Sequence, residues 1–188
     1  MDHEFILLRY DLEFIVLVFI VRGNVKSQSR LIAAGALILI LAVPKLAFSE
    51  QFIARVFGVH DGDSLRVNTD GGRTMRVRLY GVDCPEIKQP YGIKARALTR
   101  QLAFGRLLTF ESKGKDRYGR IIARVYLLTR KMLAQELVKA GACWWYQKYA
   151  PDDEGLKRLE REAKAEMRGL WAEEEPVPPW KWRRQKKK

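Results

Sequence analysis

Residues 50–175 contain short hydrophobic runs with the spacing of β-strands. The clearest run extends from Thr74 to Val82, where Met75, Val77 and Leu79 alternate with polar residues. Alternation with a period of two is typical of a strand that buries one face. β-Branched and aromatic residues dominate the other runs. Together they predict five strands, at 52–59, 64–69, 74–82, 107–111 and 121–128.

Other segments repeat their apolar residues with helical spacing. Tyr91, Ala95, Leu98 and Leu102 form one such stripe, and Gly105 follows it. This pattern predicts a helix that ends at the glycine. The same reasoning predicts helices at 91–104, 132–140 and 151–168. Three strands, one helix, two strands and two helices fit an α+β fold, with a five-stranded OB-type β-barrel and three helices.

The first 49 residues have a different pattern and predict a leader. Residues 31–43 carry no charge and follow Arg30, and Ala47 and Ser49 could form a cleavage site before Glu50. A run of about 10–14 apolar residues is typical of a signal peptide, whereas a membrane span needs about twenty. The alternatives are cleavage near Ser49, which gives a secreted or periplasmic protein, and an uncleaved membrane anchor at 31–48. Both predict export of the remaining chain. Translation could also start at Val25 instead of Met1.

The charge of the chain is strongly positive and partly concentrated at its end. There are 35 Lys and Arg against 22 Asp and Glu, a net charge of +13. Residues 176–188 contain six basic residues, no acidic residue and no apolar period. This composition predicts a loosely packed basic tail after a domain at 50–175. The excess charge indicates a polyanionic partner, either nucleic acid or an anionic membrane surface.

Six charged residues lie in or beside the predicted strands and turns. Each alone has an ordinary structural explanation, such as a turn, a strand end or a solvated face. As a set they supply hard oxygen ligands, a candidate base and two guanidinium groups, which metal-assisted phosphodiester hydrolysis requires. The residues are Asp61, Asp63, Arg78, Asp83, Glu86 and Arg120.

Four motifs, in order, resemble the staphylococcal nuclease (thermonuclease) family. They are His-Asp-Gly-Asp-Ser at 60–64, Arg-Leu-Tyr-Gly-Val-Asp-Cys-Pro-Glu at 78–86, Asp-Arg-Tyr-Gly-Arg at 116–120 and Gly-Ala-Cys-Trp-Trp-Tyr at 141–146. The resemblance covers Phe52 to about Trp171 and includes the Pro-Pro-Trp-Lys-Trp-Arg-Arg tail. It implies an OB barrel with three helices and a Ca²⁺-dependent nuclease that acts on DNA and RNA. We expect low sequence specificity and a monomer.

The resemblance also implies a metal site. Asp63 and Asp83 would bind Ca²⁺ through their carboxylates, and Cys84 would contribute only its backbone carbonyl. Asp61 would support these ligands from behind or bind the metal through water.

The remaining roles concern the substrate. Glu86 would be the general base, and Arg78 and Arg120 would stabilise the transition state. Tyr118 would bind the phosphate end. Either Tyr146 or Tyr149 would stack on a base, although this aromatic segment could equally be part of the core.

Two alternatives stay open from the sequence. Cys84 and Cys143 could form a disulfide, which export would permit, or stay as two buried thiols. The chain could also be a noncatalytic OB-fold nucleic-acid-binding protein. The presence of all six charged positions favours the enzyme.

Overall fold

The computed structural model of the protein describes residues 6–8, 16–18 and 50–185. The chain divides into two units, 1–48 and 49–188. In the first unit, strand β1 (Ile6–Leu8) pairs antiparallel with β2 (Val16–Val18). The predicted apolar run at 31–43, the cleavage site at Ser49 and the alternative start at Val25 lie outside the described residues. In the described part of the chain, no helix has the length and apolar character needed to cross a membrane.

The second unit is built on a closed five-stranded barrel, as the sequence predicted. The strands of this unit are β3 Gln51–Val59, β4 Ser64–Asn68, β5 Thr74–Leu79, β6 Val82–Asp83, β7 Leu107–Lys115, β8 Ile121–Tyr126 and β9 Trp144–Trp145. The strand order of the barrel is β3-β4-β5-β8-β7, and only the β5–β8 pair is parallel. The two short strands β6 and β9 pair with each other outside the barrel.

The barrel interior is filled by the apolar residues that alternate along its strands. Val56, Val67, Val77, Phe110 and Val125 are completely or almost completely buried. Their polar neighbours face outward because successive side chains in a strand point to opposite faces. The hydrophobic alternation therefore determines the residues that form the core.

The strand predicted at 74–82 is shorter in the structure. Strand β5 ends at Leu79, and Gly81 turns the chain with a φ of +79°. Gly81 is also closely packed, since a Cβ there would lie 2.8 Å from Leu156 Cδ1. After this turn Val82 and Asp83 pair with β9 instead of β8. The turn thus places Asp83 against the aromatic segment at 144–145.

The three predicted helices are present with shorter ends, and a fourth corrects the prediction of a loosely packed tail. The helices are α1 Gly92–Ala103, α2 Leu133–Lys139, α3 Glu154–Ala165, a 3₁₀ turn at Gly169–Ala172 and α4 Pro179–Gln185. Helix α3 follows Asp153, whose carboxylate accepts from the Leu156 N–H at 3.0 Å. The tail folds into α4, in which Pro179 is buried.

A disulfide joins Cys84 to Cys143, so the alternative of two free thiols is wrong. Both residues are buried, and the bond lies next to the β6–β9 pair. It links the residue that follows Asp83 to the residue that precedes Trp144.

Candidate active site

The turn between β3 and β4 holds two of the predicted acidic residues. Asp63 immediately precedes β4 and is only 2% exposed. Its backbone N–H donates to Asp61 Oδ1 at 3.1 Å, a typical side-chain-stabilised turn. The Thr99 hydroxyl of α1 donates to the Gly62 carbonyl at 2.7 Å. Gly62 permits the close approach of Cys84 to this turn, because a Cβ at Gly62 would lie 2.5 Å from Cys84 Cβ.

Arg78 brings the two predicted metal-ligand carboxylates together. It lies in β5 opposite Ser64 of β4. Arg78 Nη1 donates to Asp63 Oδ1 at 2.7 Å, and Nη2 donates to Asp83 Oδ1 at 2.8 Å. The backbone N–H of Cys84 donates to the other Asp63 oxygen at 2.9 Å. Asp63 and Asp83 are therefore held next to each other, although they are 20 positions apart in the sequence.

Burial and charge oppose each other in this group. Burial raises the pKa of Asp63 above its ordinary value, whereas the charge of Arg78 acts to lower it. Burial alone would lower the pKa of Arg78, but the charges of Asp63 and Asp83 raise it above the usual value. Arg78 is thus held as a cation. Its hydrogen bonds compensate for the cost of burying carboxylates.

The turn between β7 and β8 supplies the second predicted arginine. Asp116 organises this turn, since its Oδ1 accepts from the backbone N–H groups of Tyr118 and Arg120, both at 2.9 Å. Its Oδ2 accepts from Arg120 Nε at 2.7 Å. Arg120 Nη1 donates to the Ser64 hydroxyl at 3.3 Å, and that hydroxyl donates to Asp63 Oδ1 at 3.1 Å. Arg120 therefore reaches the carboxylate pair through one hydroxyl group.

Glu86, the predicted general base, contacts an arginine that the sequence analysis missed. Arg183 of α4 donates from Nη1 to Glu86 Oε1 at 2.7 Å and from Nη2 to Asp83 Oδ2 at 2.6 Å. The signal in the sequence at this arginine is the Trp-Lys-Trp-Arg-Arg run of the basic tail. That run carries no periodicity that would indicate a buried partner.

The two predicted arginines and the three predicted tyrosines line one cleft of about 730 Å³. Tyr118 and Tyr149 are 58% and 59% exposed. Tyr146 is half-buried and meets Tyr149 edge to face, with 4.9 Å between ring centroids. The cleft also carries Lys113, Lys115, Arg117 and Lys148. The structure thus places Arg78, Arg120, Tyr118, Tyr146 and Tyr149 on one surface.

The chemistry of the converging groups fits a Ca²⁺ ion, which prefers oxygen ligands. Asp63 and Asp83 share one guanidinium group, and Asp61 lies in the same turn as Asp63. Within residues 50–185 and the two described strands before them, however, no three His, Cys, Asp or Glu side chains converge on one point. Instead, the Asp83 carboxylate is shared between Arg78 and Arg183.

Comparison with known proteins assigns the family. The family described as "Staphylococcal nuclease homologue" matches residues 76–173. An "Uncharacterized endonuclease" of Escherichia coli is 41% identical over 132 residues, which cover 70% of this chain and 85% of that protein. A "Micrococcal nuclease" of Shigella flexneri is 34% identical over 163 residues, 82% of this chain and 91% of the relative. An "Uncharacterized endonuclease" of Haemophilus influenzae is 36% identical over 85% of this chain and 88% of its own length. The chain belongs to the staphylococcal nuclease family.

Proposed function

We propose that the protein is an exported, monomeric, Ca²⁺-dependent nuclease that hydrolyses phosphodiester bonds of DNA and RNA with low sequence specificity. One observation carries this proposal. Arg78 joins Asp63 to Asp83 at a cleft that Arg120 also lines. Carboxylates that can hold a cation thus adjoin two guanidinium groups that can hold a phosphate.

The residues of this site have different roles in the proposed reaction. Ca²⁺ held by Asp63 and Asp83 would neutralise a phosphate oxygen and help position the attacking water. Glu86 accepts the proton of that water. Arg78 and Arg120 donate hydrogen bonds to phosphate oxygens, where negative charge grows in the transition state.

The surface of the cleft supports binding that is independent of sequence. Its lysine and arginine side chains attract the phosphate backbone, which every nucleic acid presents. The exposed ring of Tyr149 offers a face on which a base can stack, and Tyr118 lies in the same cleft, where it can bind a phosphate. Neither kind of contact reads the hydrogen-bonding edge of a base. Low sequence specificity follows, and the cleft can accept single strands of both RNA and DNA.

The relatives favour catalysis over binding alone. Relatives that are 41% and 34% identical to this chain over the aligned residues carry the names "Uncharacterized endonuclease" and "Micrococcal nuclease". Of the six charged residues singled out from the sequence, Asp63, Arg78, Asp83 and Glu86 form a network of hydrogen bonds that Arg183 completes.

Export is supported by the Cys84–Cys143 disulfide, because such bonds persist in oxidising compartments. N-terminal sequencing of the protein recovered from its native cell tests this part of the proposal. A chain that begins at Glu50 and lies outside the cytoplasm agrees with cleavage after Ser49. A chain that retains residues 31–48 in a membrane fraction would indicate the anchored form.

The activity itself is tested by incubating the full-length protein with plasmid DNA and with RNA, in Ca²⁺ or in EGTA. We expect cleavage only in Ca²⁺. Glu86→Gln should lower kcat by about 10²–10⁴-fold, the usual contribution of a general base. Arg120→Ala should lower it by about 10²–10³-fold, because it removes a donor to the transition state.

Matched controls separate these roles from general charge effects. Glu154→Gln and Arg158→Ala change the same charges on the exposed surface of α3, and both should leave kcat unchanged. Cleavage that persists in EGTA, or that survives both active-site substitutions, contradicts the mechanism. Nucleic-acid binding in EGTA with no cleavage in Ca²⁺ would instead establish the noncatalytic binding protein.

A further inference from the structure

Arg183 lies at the end of the basic tail, yet its side chain belongs to the active site. Its guanidinium group contacts Asp83 through Nη2, at 2.6 Å, and through Nη1, at 3.2 Å. The same Nη1 contacts Glu86 at 2.7 Å. We propose that Arg183 is a positioning residue, a third active-site arginine that orients the Glu86 carboxylate relative to Asp83. This inference rests on the nuclease function proposed above.

Aromatic packing fixes the helix that carries Arg183. Trp180 of α4 stacks on Tyr146 with ring centroids 5.2 Å apart and planes only 5° from parallel. It also meets Trp144 edge to face at 5.7 Å. Pro179, at the start of the helix, is buried. Because these contacts define the position of α4, Arg183 approaches the carboxylates from a fixed backbone.

A second connection joins the tail to Glu86 through the backbone. The Glu86 N–H donates to Gln89 Oε1 at 3.2 Å, and Gln89 Nε2 donates to the Val177 carbonyl at 2.5 Å. Gln89 is itself buried, with 6% exposure. The tail therefore holds Glu86 at two points, its main chain through Gln89 and its side chain through Arg183.

This double attachment matters because the Glu86 side chain has little other support. The side chain is 38% exposed, whereas Asp83 beside it is completely buried. A half-exposed carboxylate samples several rotamers, and a misplaced base loses much of its rate advantage. The planar fork of an arginine can contact two carboxylates in one fixed geometry, which a lysine cannot reproduce. Arg183 thus restricts Glu86 to one orientation.

The test compares the full-length wild-type protein with Arg183→Gln, Arg183→Lys and Arg184→Gln at saturating Ca²⁺. Arg184 is the matched control, since it is the next residue of α4 and is exposed. We expect Arg183→Gln to lower kcat about 10–100-fold with KM changed less than threefold. Arg183→Lys should lose less, and Arg184→Gln should keep the wild-type kcat. Circular dichroism melting verifies that each variant is folded. If Arg183→Gln does not fold, Arg183→Lys takes its place in the kcat comparison with the wild type.

A kinetic double-mutant cycle with Glu86→Gln distinguishes positioning from a general structural effect. If Arg183 acts through Glu86, Arg183→Gln should lower kcat by less than about threefold in the Glu86→Gln background. The same four proteins, unfolded in urea without added metal, should show non-additive changes in the unfolding midpoint. Urea unfolding thus detects the contact between Arg183 and Glu86 without requiring enzymatic activity.

Several outcomes would overturn the inference. An equal loss of kcat with and without Glu86, or additive unfolding midpoints, would show that Arg183 acts independently of Glu86. A higher kcat with tighter Ca²⁺ binding in Arg183→Gln would show that the tail inhibits the enzyme by competing with the cation. If the wild type cleaves and Arg183→Gln matches it, only this inference fails, whereas an inactive wild type contradicts the proposed function itself.

Discussion

Removal of the Cys84–Cys143 disulfide should strongly destabilise the protein. The bond closes a loop with a sequence separation of 59 residues, which contains α1, β7, β8 and α2. In the chain-entropy description, a cross-link over such a loop stabilises the folded state by about 4 kcal/mol at 25 °C, because the unfolded chain is constrained. A typical domain has a total stability of about 5–15 kcal/mol. We therefore expect the disulfide to contribute a large part of the stability of this fold.

Urea unfolding measures this contribution directly. The oxidised protein is compared with the same protein unfolded, reduced and refolded in a thiol-free reductant. For an m-value of about 2 kcal/mol/M, a loss of about 4 kcal/mol lowers the unfolding midpoint by about 2 M. A Cys84→Ala and Cys143→Ala double variant should lose at least as much, because two buried sulfur atoms are also removed.

The alanine double variant also provides the control. Its unfolding midpoint should not respond to reductant, whereas the midpoint of the wild type should. A shift below about 0.5 M in the wild type would refute the reasoning, since it would correspond to only about 1 kcal/mol. In that case the loop would already be restricted in the unfolded chain, or the bond would not form.

Two further predictions concern binding and backbone packing. Tyr149→Leu should raise KM about fivefold or more while kcat stays within twofold, because base stacking contributes about 1–3 kcal/mol. Steady-state cleavage assays test this, and a changed kcat with unchanged KM would contradict it. Gly141→Ala should destabilise the fold by about 3 kcal/mol or more, measured by urea unfolding. The backbone strain of a non-glycine residue at its φ of +65° costs about 1–2 kcal/mol. In addition, the new Cβ would lie 2.1 Å from the Arg168 carbonyl oxygen. Gly105→Ala has a similar φ of +77° with open space around it and should lose only the strain, so equal effects at both sites would refute the steric argument.

The barrel could be predicted because its signal is local. Residues such as Val67, Val77 and Val125 alternate with polar neighbours within single strands, and each strand buries the face that the alternation indicates. The β6–β9 pair could not be found in this way. Two-residue strands carry no period, and the pairing of Asp83 with Trp144 depends on a turn at Gly81 and on a disulfide between cysteines with a sequence separation of 59.

The active site was predictable to the extent that its residues lie in short motifs at strand ends. Asp63, Arg78 and Asp83 were singled out from such motifs, and the structure joins all three. Arg183 was not, because its partners Asp83 and Glu86 are 100 and 97 positions away. A cluster of basic residues has the same sequence pattern whether it is solvated or packed. Only the folded chain distinguishes the two.

The position of Arg183 also bears on the charge of the proposed active site. The Asp83 side chain is completely buried, and a buried carboxylate is stable only when its charge is compensated. Arg78 donates to Oδ1 of Asp83, whereas Arg183 contacts both Oδ1 and Oδ2. The tail arginine therefore adds compensation that Arg78 alone does not supply. The C-terminal helix thus belongs to the charge arrangement of the proposed active site.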